Sequence, residues 1–265
     1  MGVYAAIALR SFRRFSTYRV ATASGAFTNT VWGFILCGIY LTLWHLRPGL
    51  GGYDASAAVT FVWLQQGLMQ PLGMFGGGVT GELGERVRTG AIAVDLYRPV
   101  NLLAWWLAAD IGRAAFQLTI RGCVPLLIGS LTFDLRFPGS PRRWLAFAVA
   151  VALGLLISFA LRYLVALSGF WLNDSRGAEM ALMTATLFFS GMLLPLVAFP
   201  DRLGAVARAT PWAGMLQVPV DVWLGRQPGG VLGAFAFQGA WAVVLLLAGL
   251  TATSYATRKV VVSGG

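Results

Sequence analysis

The sequence predicts an all-α membrane protein with six transmembrane helices, an N-terminal interfacial helix and an outer re-entrant hairpin before the last span. Three observations carry this. Six apolar blocks, each close to the roughly 20 residues a helix needs to cross a bilayer, fill most of the 265 residues. Hydrophobic residues make up 57% of the chain and charged ones 11%, and the mean hydropathy is +0.71, far from the balance of a soluble domain. The polar stretches between blocks are too short for a second folded unit, so residues 1–265 read as one domain.

Residues 1–19 open the chain as an interfacial helix. Tyr4, Ala8, Phe12 and Phe15 share one helical face, while Arg10, Arg13 and Arg14 lie off it, the pattern of a helix in the headgroup plane. The alternative is an ordinary basic flank. Either reading puts the N-terminus in the cytoplasm, because these arginines and Arg19 crowd one side of the first span. Spans follow at residues 20–44 and 57–75, joined by a short outer turn. A polar cytoplasmic stretch, residues 76–101, is longer than a tight turn requires. Residues 102–111 form either an interfacial lead into a span at 114–131 or the start of one long helix over both. An outer loop at 133–143 precedes a span at 144–167. An inner turn carries Trp171, Asn173, Asp174 and Arg176, and further spans lie at 180–198 and 231–255.

Six spans return the C-terminus, with Arg258 and Lys259, to the cytoplasm of a multi-pass protein of the cell membrane. Arg47, Arg136, Arg142, Arg143, Arg202, Arg208 and Arg226 fall outside, so the positive-inside balance is favourable without being decisive. Residues 190–225 are too polar for a crossing and too apolar for a solvated loop. Pro195, Pro200, Pro211 and Pro219 cut them into pieces shorter than a span, as expected for short helices that dip into the outer leaflet and return. That makes these prolines the frame of an outer gate; a surface cap is the plainer alternative.

The net charge of +10 places basic residues at span ends against anionic lipid rather than against nucleic acid. Cys37 and Cys123 both lie in apolar blocks, which argues against a disulfide framework or metal site. No cleavable signal sequence is expected. Lys259, the one lysine, precedes Val260, so the lysine and Ser/Thr of a phosphate-binding P-loop are missing. The single histidine, His45, sits at a span end beside Trp44, and no Gly-x-Ser-Gly setting, C-x-x-C or clustered metal ligands accompany it. The chain is therefore not expected to be an enzyme by itself. Asp110 is the carboxylate that falls within an apolar block, where Arg113 can pair with it at i,i+3. Arg121 is expected to face the interior or a cavity, and Arg162 to snorkel to the inner headgroups.

Four stretches in this order and spacing resemble the permease subunits of type-2 ABC exporters. They are R-S-F-R-R-F-x-x-Y-R (10–19), G-x-I-A-V-D-L-Y-R-P-V (90–100), F-W-L-N-D (170–174) and S-G-M-L-L-P-L-V-A-F-P (190–200), and the resemblance spans nearly the whole chain. It implies that ATP and Mg bind a separate ABC ATPase subunit, present in two copies, and that this chain itself carries no cofactor. It implies a second permease subunit, more readily a different chain than an identical one, together making a dimer. A coupling helix after the second span would enter a groove on the ATPase; the matching stretch is 81–98, with Glu82, Glu85, Arg86, Arg88 and Arg98 as its charges. The N-terminal helix would be the family's interfacial elbow and residues 195–219 its outer hairpin. Arg121 and Arg162 match no motif of the family.

The function implied is half of an export path for an amphiphilic or hydrophobic compound, drug-like or lipid-like, as in multidrug efflux. Phe27, Asn29, Trp32, Phe61, Trp63, Gln65, Gln66 and Arg121 are the pathway candidates, as aromatics with a few amides suit such cargo; the same residues also suit ordinary helix packing. Two other classes stay open: a lipid-modifying membrane enzyme using Arg113 and Arg121 on a phosphate, and a membrane scaffold that anchors an ATPase without moving cargo.

Overall fold

The computed structural model of the chain describes residues 2–75, 78–97, 99–172, 174–227 and 229–263, with side chains placed through Arg258. Among the described residues all regular structure is helical. The helices are α1 (Val3–Ser16), α2 (Arg19–Leu46), α3 (Ala55–Leu68), α4 (Val79–Arg88), α5 (Ile92–Leu96), α6 (Leu102–Gln117) and α7 (Cys123–Thr132). They continue as α8 (Pro141–Leu172), α9 (Arg176–Phe189), α10 (Asp201–Ala209), α11 (Pro211–Met215), α12 (Gln217–Leu224) and α13 (Gly230–Ser263).

Among the described residues, four helical stretches are long and apolar enough to cross a membrane: Arg19–Leu46, Leu102–Thr132, Pro141–Leu172 and Gly230–Arg258. The chain is a membrane protein on that ground. The blocks expected to be the second and fifth spans are shorter helices, α3 and α9, of 14 residues each. At 1.5 Å per residue such a helix covers about 21 Å, against a hydrocarbon core of about 30 Å. Pro71 and Gly73 (φ +62°) follow the end of α3, and Gly191 (φ +90°) follows the end of α9. Both apolar blocks therefore run on past the point where their backbones leave the helix.

The third block resolves to one continuous helix, without a separate interfacial lead. α6 passes into α7 through a π-helical turn, Leu118–Gly122. Pro125 has no N–H to give the carbonyl four residues back, at Arg121, and the wider turn sits where that bond is missing.

α3 is the centre of the bundle. Every residue from Ala57 to Leu68 is buried, so its side chains show no helical stripe. Trp63 packs edge-on against Phe34 of α2, and Gly33 and Gly129 let α2 and α7 close on the same indole. α1 lies along α6, where Phe12 meets Phe116 edge to face at 5.6 Å. α4 packs on α8: Val79 and Leu83 join Phe159, Tyr163, Ala166 and Leu167 in a core cluster of their own. α1 and α4 thus share one end of the bundle, and α10 to α12 cover the other.

Candidate coupling site and its buried charge network

The sequence places four charges on α4, and the structure pairs each of them within the chain. Glu82 accepts from Arg14 of α1 at 2.8 Å, so the interfacial helix and α4 are tied directly. Arg88 bonds Glu85 one turn back at 2.6 Å, and Arg86 reaches Asp95 of α5 at 2.9 Å. Hydrogen bonding from Arg88 holds the Glu85 carboxyl below the usual carboxylate range, and the bond to Glu82 raises Arg14. Glu85 therefore remains an anion throughout the physiological range. The apolar side of α4 is buried on α8, while Glu82, Glu85 and Arg86 line an open groove and Arg88 is exposed beside it. Arg10 and Arg13 are exposed on α1. Arg98, the last of the coupling candidates, lies outside the described residues, as do Gly76, Gly77 and Asn173.

Beneath α4 stands a network that the sequence reading only half anticipated. Asp110 bonds Arg113 at 2.7 Å, the i,i+3 pair expected along α6. Arg162 of α8 grips the same carboxylate with both terminal nitrogens, at 3.1 and 2.7 Å. The three residues are only 5%, 6% and 2% exposed. Arg162 therefore does not snorkel to headgroups. Its partner is 52 positions away in sequence, and an ionised carboxylate in a dry interior outweighs the reach to the surface.

The remaining donors meet the end of α3. Where a helix stops inside a bilayer its last carbonyls have no intrahelical partner and no water. Arg113 gives its two terminal nitrogens to the Gln70 and Pro71 carbonyls, both at 2.9 Å, and Ser158 bonds the Leu72 carbonyl. Asn29 adds a long bond to the Gln66 carbonyl at 3.4 Å. The cations also sit where the helix dipole is negative. Gly73 and Gly78, both at positive φ, bring the backbone against Arg162 and Arg113; a Cβ there would stand 2.8 Å and 3.1 Å from their side chains. Gly73 and Gly78 thus each lie against a buried arginine. Arg121, half-buried in the π turn, donates to the Gln70 side chain at 3.2 Å and to the Ala21 carbonyl of α2 at 3.1 Å. Gly25 makes room for its guanidinium.

The pathway candidates divide into two groups. Phe27 and Trp32 stand exposed on α2, at 71% and 54%. Asn29, Phe61, Trp63, Gln65 and Gln66 are buried in the core of the chain. Gln65 serves the second break: its amide donates to the Met192 carbonyl just after α9, and Tyr40 donates to that of Leu193.

The same break is held from the far end by Gln217. Its backbone N–H donates to the Ser190 carbonyl at 3.1 Å, and its side-chain oxygen accepts from the Leu196 N–H at 2.9 Å. Its amide nitrogen donates to Asp221 at 2.9 Å and Tyr53 at 3.2 Å, and the Tyr53 hydroxyl bonds Asp221 at 2.7 Å. Each expected gate proline opens a short helical piece: Pro195 before the 3-10 turn Leu196–Ala198, Pro200 before α10, Pro211 at the start of α11, and Pro219 in the first turn of α12. These are the positions where a missing N–H costs nothing. Replacing Gln217 by Leu leaves the Leu196 N–H without its acceptor and takes a donor from Asp221 and Tyr53, which still bond each other. The expected cost is about 1–3 kcal/mol for each group left dry, read as a lowered midpoint in thermal unfolding of the purified protein.

Sequence reasoning missed Tyr53, Ser158, Gln217 and the Asp110–Arg162 pair. The available signal was a polar side chain inside an apolar block, which marks a buried bond without naming its partner. Comparison with curated proteins finds no match. A family model described as ABC-2 family transporter protein matches residues 27–264, from early in α2 to the end of α13. That match covers most of the chain, including every helix from α3 to α12, and the chain belongs to the ABC-2 transporter family.

Proposed function

We propose that this chain is the permease subunit of an ATP-driven exporter, coupled through α4 to a separate ABC ATPase present in two copies, which binds the ATP and Mg. The observation that supports this best is the mounting of α4. Its outer face is charged and exposed, its inner face is buried on α8, and Gly78 just before it lies against Arg113 of α6. A push on α4 is thereby delivered to α6 and α8 together, and through Glu82 to α1. In this reading α1 and α4 are cytoplasmic, as are both termini, and residues 190–225 dip into the outer leaflet as a gate. α3 and α9, each extended by its non-helical continuation, complete six passes. A second permease, a different chain, packs against this one to form the dimer. The cargo, an amphiphilic or hydrophobic compound of the kind handled in multidrug efflux, follows the α2 face that exposes Phe27 and Trp32.

The test is co-purification of an ATP-hydrolysing subunit with the tagged chain from native membranes. Reversing Glu82 and Glu85 to Lys is expected to lower co-purified ATPase activity at least tenfold while the unfolding midpoint of the chain changes little, since both carboxylates are exposed. A wild-type chain that elutes alone under gentle conditions, with no ATPase activity, sinks the coupling reading.

A further inference from the structure

At the end of the bundle opposite α1 and α4, a cavity of about 490 Å³ lies between α12 and the first turns of α13. Its walls include Val218 and Phe237, and its polar groups are Arg208, Gln217, Asp221 and Gln227. Two acceptors there lack donors. Asp221 uses one carboxylate oxygen for both Tyr53 and Gln217, and among the described residues its second oxygen accepts nothing. The side-chain oxygen of Gln227 is buried with no hydrogen-bond partner. Arg208 forms no ion pair among the described residues and stands on the exposed side of α10.

A buried amide oxygen such as that of Gln227 is rarely left empty, and the free Asp221 oxygen stands open beside it. A carboxylate beside an orphaned amide oxygen calls for a cationic donor with several N–H groups. The apolar walls call for a hydrocarbon body, and the guanidinium for an anion a few bonds from the cation. We propose that this cavity binds the headgroup of a zwitterionic phospholipid bearing a primary ammonium. The ammonium donates to Asp221 and Gln227, the phosphate meets Arg208, and the first acyl carbons lie along Val218 and Phe237. A choline headgroup satisfies neither acceptor, because its nitrogen has no N–H. A glycerol headgroup offers no cation to Asp221. The site stands on this protomer alone and does not depend on coupling to an ATPase.

Native mass spectrometry of the purified full chain tests this, with ethanolamine, choline and glycerol phospholipids of identical acyl chains added in turn. Charge-assisted bonds predict about a tenfold preference for the ethanolamine lipid over the other two. Asp221→Asn keeps an acceptor for Tyr53 and Gln217 but removes the charge. Gln227→Leu breaks no side-chain hydrogen bond among the described residues and serves where the first variant folds poorly. Loss of the preference in either variant supports the site. No preference in the wild type, or one that survives both substitutions, overturns it.

Discussion

Asp110→Asn is expected to be the most damaging single change of charge in this protein. It leaves Arg113 and Arg162 buried with no carboxylate between them. Removing one partner of a buried pair costs about 3–5 kcal/mol because the remaining charge is neither solvated nor neutralised. Here two cations remain, and the carbonyls of Gln70 and Pro71 compensate only Arg113. The variant is expected to accumulate poorly in the membrane and, once purified, to unfold far below the wild type. A second substitution discriminates the cause. Arg162→Met added to Asp110→Asn removes one stranded cation and is expected to recover a large share of the loss, since apolar replacements of buried pairs are often tolerated. A double variant no better than the single one would mean that Arg162 is held in place by something other than Asp110.

Gly112→Val is expected to detach the N-terminal helix. A Cβ at Gly112 overlaps the Ala8 carbonyl and crowds the Ser11 side chain, so no rotamer change relieves the clash and α1 itself must move. The Phe12–Phe116 contact and the Arg14–Glu82 bond both depend on α1 lying where it does. Overpacking of this kind costs about 1–3 kcal/mol, which is more than an exposed pair such as Arg14–Glu82 returns. Backbone amides of α1 should then exchange with deuterium at least tenfold faster, while those of α8 stay protected. Unchanged exchange in α1 would show that the packing on α6 does not hold it.

Much of the architecture was legible from the chain alone. The apolar blocks, the arginines off the hydrophobic face of residues 1–19 and the charged stretch after the second block each report a local property, namely which surface must meet lipid or water. The break at residues 190–225 was equally plain, because four prolines cannot sit inside one helix. The lengths of the helices in the second and fifth apolar blocks were not. Hydropathy measures the affinity of side chains for lipid and is silent on whether the backbone beneath them stays helical. At Gln70–Gly73 it does not, because Arg113 and Ser158 from other helices take the freed carbonyls.

The roles of the α3 residues were hidden for a related reason. A helix buried on all sides has no periodic face, so Phe61, Trp63, Gln65 and Gln66 read the same whether they line a path or fill a core. By itself, then, the sequence determined the class, the order of apolar and polar segments and the family. The tertiary structure alone decided that Arg162 finds Asp110, that Gln217 finds Tyr53 and Asp221, and that both broken helices end inside the bundle. The physical reason is range. Transfer to lipid is settled residue by residue, whereas a buried charge or an orphaned carbonyl is tolerable only if a partner arrives from a distant part of the chain.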